Sequence, residues 1–230
     1  MAQISINAGT GSFSAYLALP KTGTGPGIVV IQEIFGVNPG IRAIADRLAA
    51  QGFVACAPDL FWRLEPGVEL NPSLEPDFKR GLDLMGRFDS AQGIEDIKLT
   101  TTALRRHASC TGKVGVVGYC LGGRLAFMCA ARTDADASVG YYGVGLEGLL
   151  GEAGNVKKPL MLHIAEEDKF VDKAAQAKIL AGLKPYPAVT IHAYPGCDHG
   201  FARIGGEHTD KAAAALADGR TEAFFRKTLA

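Results

Sequence analysis

The chain has 230 residues, 47% hydrophobic and 21% charged, which suits one globular α/β domain large enough to enclose a site. Lys plus Arg and Asp plus Glu each total 24, with no long run of either sign, which argues against a nucleic acid or an acidic membrane and leaves a small molecule as the expected partner. The N-terminal MAQISINAGTGS has no positive patch leading into an apolar core, and no apolar run approaches the roughly 20 residues of a membrane span, so a cytoplasmic protein is expected.

In chain order, residues 13–19 alternate apolar and polar side chains and predict an antiparallel hairpin at a sheet edge. Continuous apolar runs follow at 27–31, 53–57, 113–119, 138–143, 159–165 and 188–194. Runs of this length suit strands covered on both faces. Helical patterns fill the intervals at 39–51, 91–107, 121–132 and 170–183, with a last helix inside 208–229. The alternation predicts an α/β fold with a mostly parallel central sheet and helices on both faces. Residues 58–76 are Pro-rich and read as a surface excursion of the same domain, a candidate cover for the site. Ligands of open α/β sheets bind beyond the carboxyl ends of the strands, so residues just after each run are the first to examine.

Directly after the run at 113–119 stands Gly118-Tyr119-Cys120-Leu121-Gly122-Gly123, a G-x-C-x-G nucleophile elbow with sulfur in place of oxygen. A sharp strand-to-helix turn needs almost no side chain at its flanks, which Gly118 and Gly122 supply. It also puts Cys120 at a helix N-terminus, where the dipole and free N–H groups favour a thiolate. The bland alternative is a small buried cysteine in a Gly-rich turn. The other cysteines, Cys56, Cys110, Cys129 and Cys197, show neither zinc spacing nor a disulfide framework, so reduced thiols and no metal are expected.

A nucleophile needs a base, and His199 in Gly196-Cys197-Asp198-His199-Gly200-Phe201 follows the last predicted strand. His163 and His192 fall inside strands and read as core residues, whereas His107 and His208 fall on solvated helical segments. The orienting acid should stand between nucleophile and base, and Asp168 is chosen from a cluster in which Glu166, Glu167 and Asp172 are rivals. Such a cluster is also an ordinary helix cap. The order Cys120, Asp168, His199 is that of the α/β-hydrolases.

These residues resemble the dienelactone hydrolases, or carboxymethylenebutenolidases, of the α/β-hydrolase superfamily. The resemblance runs through nearly the whole chain and is strongest at QEIFGVN (32–38), PDL (58–60), residues 113–123, GYYGVGLE (140–147) and HGFAR (199–203). It implies a hydrolase of lactones or activated esters that works through a Cys-His-Asp triad and an acyl-enzyme, without cofactor, here as a monomer. It further implies that Glu33 takes the thiol proton once substrate binds, that Ile34 and Leu121 N–H groups form the oxyanion hole, and that Arg203 holds a substrate carboxylate beside a pocket wall at Tyr142. A charge straight after the GIVVIQ run at 27–32 is awkward for Glu33 unless it faces a functional cleft.

One segment departs from the family. Phe78 stands where the family has a second carboxylate-binding arginine, and Leu82 and Met85 stand in place of aromatics, so Arg80 or Lys79 would have to substitute from a shifted position. Dienelactone itself is therefore a weaker expectation than hydrolysis by Cys120. The alternatives are a thioesterase or general carboxylesterase on the same triad, or a non-catalytic redox or binding module.

Overall fold

The computed structural model describes residues 2–230. They fall into two compact units, one ending at Gly115 and the other running from Val116 to Ala230.

In the first unit, β1 (Ala2–Asn7) and β2 (Ser12–Ala18) form an antiparallel hairpin with Ala2 opposite Leu17 and Asn7 opposite Ser12. β2 continues antiparallel onto β4 (Val54–Pro58), which lies parallel to β3 (Gly25–Ile31), giving the order β1-β2-β4-β3 with the expected hairpin at its edge. Ile28 to Ile31 and Val54 to Ala57 are completely buried, as their unbroken apolar character requires. Between β3 and β4 runs α1 (Pro39–Ala50), started by Pro39 at its first turn and by Asn38, whose side chain accepts the Ile41 N–H at 3.1 Å.

Residues 58–76 are a surface excursion only in part: 62–67 and 71–76 are exposed or half-buried, but the segment is anchored in the core. Leu60, Phe61, Val68 and Leu70 are buried, and the Asp59 carboxylate draws the segment together by accepting the N–H of Phe61 at 3.0 Å and of Gly67 at 2.7 Å. Prolines and glycines mark turns, but the apolar residues between them still seek the core. Two helices follow, α2 (Glu75–Arg87) and α3 (Ser90–Arg105). α2 buries only Gly81 and Leu84. β5 (Cys110–Tyr119) begins in this unit and ends in the next.

The second unit continues with α4 (Leu121–Arg132), β6 (Ala137–Tyr141), two 3-10 turns at Leu146–Gly148 and Leu150–Asn155, β7 (Leu160–Ala165), α5 (Lys173–Leu183), β8 (Val189–Tyr194) and α6 (Lys211–Thr228). β6, β7 and β8 are parallel neighbours in that order, with Tyr141 level with His163 and His163 level with His192. Phe127, Leu160, Leu162, Ile179 and Leu183 pack into one core cluster. α5 starts at Lys173 rather than at 170, because the Asp172 side chain caps it by accepting the Ala175 N–H at 2.7 Å. Phe170 and Val171 are thereby left in the loop after β7. Among the described residues no helix is long and apolar enough to cross a membrane.

Candidate active site

β5 ends in the elbow. Cys120 has φ 55° and ψ −114°, a left-handed backbone that a side-chain-bearing residue adopts only when its surroundings enforce it. Those surroundings are visible: a Cβ on Gly118 would lie 1.9 Å from the Gly122 carbonyl oxygen, and one on Gly123 would lie 2.3 Å from the Tyr141 oxygen. The Cys120 N–H donates to that same Tyr141 oxygen at 3.1 Å, while its carbonyl accepts the N–H groups of Gly123 at 2.9 Å and Arg124 at 3.2 Å to open α4. Leu121, first in the helix, has no carbonyl four residues back for its N–H, so amide and dipole both favour negative charge at the sulfur.

The loops after β7 and β8 supply the partners. Asp168 Oδ2 and His199 Nδ1 are 2.9 Å apart, both residues being buried, and the other carboxylate oxygen accepts the Phe170 N–H at 2.8 Å. Cys120 hydrogen-bonds to the same imidazole. Burial would pull the His199 pKa down, but the charge on Cys120 and the bonds to Asp168 and Cys120 outweigh it and push the imidazole up to about 10. Two rings meet the imidazole edge-on, Tyr142 at 5.0 Å and Phe170 at 4.8 Å between centroids. Tyr142 is buried, has φ 36°, and donates its N–H to the His163 carbonyl at 2.8 Å. Phe170 carried no sequence signal beyond lying two residues past the candidate acid.

The rivals are engaged elsewhere. Glu167 is exposed and pairs with Lys173 at 2.9 Å, Asp172 caps α5, and Glu166 is half-buried beside Cys197. His163 is a satisfied core residue, bonded to the Tyr194 hydroxyl at 2.8 Å and the Thr221 hydroxyl at 3.0 Å, with His192 stacked on it at 5.8 Å. His107 lies just past α3 and accepts the Ser109 N–H at 3.2 Å. His208 lies in an exposed turn rather than on a helix, because Asp210 caps α6 by accepting the N–H groups of Ala212 and Ala213. All five cysteines are free thiols; burial pushes Cys197 up, Cys56 up to about 12, and Cys129 up as well.

Comparison with known proteins decides the family. The profile of the "Dienelactone hydrolase family" matches residues 13–229. The carboxymethylenebutenolidase of Pseudomonas sp. (strain P51) is 41% identical over 95% of this chain and 92% of its own, and that of Pseudomonas putida is 39% identical over 91% and 89%. The crystal structure of a Klebsiella pneumoniae chain, 27% identical, has a TM-score of 0.85 over 99% of this chain and 100% of that one. The chain belongs to the dienelactone hydrolase family. Its fold is accordingly the α/β-hydrolase fold, and its chemistry is hydrolysis of lactone or ester bonds.

The remaining residues that the dienelactone hydrolase resemblance singles out are placed as follows. In the second unit, Arg203 folds back over Gly200: a Cβ there would lie 3.0 Å from the guanidinium carbon, and the Arg203 N–H donates to the Gly200 carbonyl at 2.8 Å. The cation thus lies against the residue that follows His199. In the first unit, Glu33 and Ile34 are buried just past β3, where the Gln32 side chain accepts the Leu60 N–H at 3.0 Å. α2 comes close enough that a Cβ on Gly81 would lie 2.9 Å from the Ile34 oxygen. Arg80 is on an exposed face of α2 and pairs with Glu65, and Lys79 pairs with Glu75 at 2.7 Å. Among the described residues no group of three or more His, Cys, Asp or Glu side chains could hold a metal ion.

Proposed function

We propose that the chain hydrolyses a carboxylate-bearing lactone or activated ester with Cys120 as nucleophile, His199 as acid and base, and Asp168 as the orienting carboxylate. The observation that carries this reading is the His199 imidazole, bonded to Asp168 at 2.9 Å and to Cys120. Once Glu33 has taken the thiol proton, sulfur attacks the carbonyl carbon, the C–O bond breaks, and that proton passes to the departing oxygen. The imidazole then takes a proton from water, whose oxygen attacks the acyl carbon and expels the thiolate. Asp168 holds the imidazolium that forms until it returns this proton to the expelled thiolate.

The dienelactone hydrolase resemblance completes the assignment. Leu121 and Ile34 supply oxyanion N–H groups, Glu33 accepts the thiol proton, Tyr142 walls the pocket, and Arg203 binds the substrate carboxylate as a planar fork. Arg80 is the candidate for a second anion contact and would have to leave Glu65 to make it. Because the family profile spans both units, we treat the chain as one α/β-hydrolase domain, and five free thiols suit a reducing compartment such as the cytoplasm.

The test is Cys120→Ala assayed on small lactones and aryl esters with and without a free carboxylate. Activity should fall by at least about 10⁴-fold with the melting transition retained, since triad members act as a unit. Cys120→Ser should also be poor, because a hydroxyl is far harder to ionise than a thiol. Near-normal turnover by Cys120→Ala would overturn the mechanism, and a preference for neutral esters would remove the carboxylate from the substrate.

A further inference from the structure

We propose that Asp198 is a positioning residue that sets Asp168 and His199 at working distance; the inference rests on the triad assignment. Asp168 and His199 stand on different loops, one after β7 and one after β8, and nothing in either loop alone can hold a 2.9 Å contact between them. At the strand ends the backbone stitches the loops together: Glu166 donates its N–H to the Tyr194 carbonyl at 3.1 Å, and Glu167 donates to Cys197 at 2.8 Å. Past those points the pairing passes to a side chain. Asp198 Oδ1 accepts the N–H of His199 at 2.7 Å and the N–H of Lys169 at 3.2 Å. One carboxylate oxygen therefore ties the residue that follows Asp168 to the triad histidine.

An aspartate that only capped its own turn would account for the bond to His199. It would not account for the bond across to the other loop. The second oxygen, Oδ2, meets Lys169 Nζ at 2.8 Å, but that ammonium is 72% exposed, so the pair is screened and adds little to the hold between the loops. Burial would raise the Asp198 pKa; Lys169 and the two N–H groups outweigh it and hold the carboxyl below its ordinary value, so the acceptor stays ionised at neutral pH. The anionic groups that raise the pKa of the His199 imidazole are Cys120 and Asp168, which leaves Asp198 a geometric role rather than an electrostatic one. Displacements of a fraction of an ångström in such a pair cost rate without costing substrate affinity.

The experiment compares Asp198→Ala, Asp198→Asn and Lys169→Ala, each alone and with Asp168→Asn, by kcat, KM and melting temperature. Asp198→Ala should lower kcat about 5- to 30-fold with KM within about twofold, since only the alignment of acid and base is loosened. Asparagine keeps Oδ1 and should stay within about threefold of wild type, as should Lys169→Ala. In the Asp168→Asn background, where no carboxylate remains to be aligned, Asp198→Ala should cost less than about twofold more. Should Asp198→Ala lose its melting transition, Asp198→Ser, with a shorter oxygen for the same donors, takes its place. Wild-type kcat in Asp198→Ala, equal losses in the Ala and Asn variants, or a full loss in the Asp168→Asn background would each overturn the proposal. Failure of the triad assignment has a separate signature, a His199→Ala enzyme that retains turnover.

Discussion

His163 and His199 lie in the same unit and are almost equally buried, at 1% and 6% exposure, yet their protonation is driven in opposite directions. Around His163 burial wins: its neighbours are the hydroxyls of Tyr194 and Thr221, and the nearby charges of His192 and Arg220 only add to the effect, so its pKa is well below 6.5. Around His199 two potential anions, Cys120 and Asp168, reverse the same burial cost. Burial alone makes a histidine a neutral strut; negative charge beside the ring drives its protonation the other way. One histidine laces β7 to β8 and α6, and the other serves the elbow.

The largest test of that contrast is Asp168→Asn, which keeps the shape beside His199 but removes one of its two anions. A loss in kcat/KM of about 10² to 10⁴ is expected, with substrate inhibition constants little changed. A loss below about threefold would mean that Asp168 is a structural carboxylate like Asp172.

A smaller, selective effect is expected from Arg203→Ala. A charge-assisted contact to a carboxylate contributes on the order of 1.5–3 kcal/mol, so carboxylate-bearing lactones should lose roughly 10- to 150-fold in kcat/KM more than neutral esters do. Equal losses on both classes would confine Arg203 to organising the loop around Gly200.

The smallest effects lie in stability against pH, and the two histidines should appear at opposite ends. With its folded pKa below 6.5, His163 binds its proton mainly in the unfolded chain, so its contribution is complete above pH 6.5 and is lost as pH falls from there. His199, raised from 6.5 to about 10, contributes fully below pH 6.5 and loses that contribution as pH climbs to about 10. Melting temperatures should therefore drop on both sides of neutrality. His163→Gln should flatten the acid limb, and Cys120→Ala, by removing the larger charge on His199, should flatten much of the alkaline one, each by a few degrees, roughly the shift of one kcal/mol or so in a domain of this size. Identical limbs in both variants and wild type would detach the two histidines from stability altogether.

What could be read in the sequence were features set by near neighbours along the chain. α4 spans Leu121–Arg132 as predicted, and the elbow shows in Gly118 and Gly122 because the backbone of Cys120 is forced by atoms within a few residues of it. The unbroken apolar runs of β3, β4 and β7 likewise declare burial on both faces with no knowledge of what covers them. That Cys120, Asp168 and His199 each stand just after a strand was legible for the same reason.

Where the outcome depended on contacts between distant segments, the tertiary structure decided. Four carboxylates between 166 and 172 look alike in composition, and only the packing of the loop after β7 against the loop after β8 selects Asp168 for His199 while sending Glu167 to Lys173 and Asp172 to the end of α5. The same holds for residues 58–76, whose prolines at 66, 72 and 76 do stay exposed or half-buried while Asp59 and the buried Phe61 anchor the segment, and for Arg80, which Glu65 holds on the exposed side of α2. Local sterics are written in a few adjacent residues; the choice of a charged partner is made by whichever opposite charge or N–H the fold brings within about 3 Å, and no single stretch of sequence contains both members of that pair.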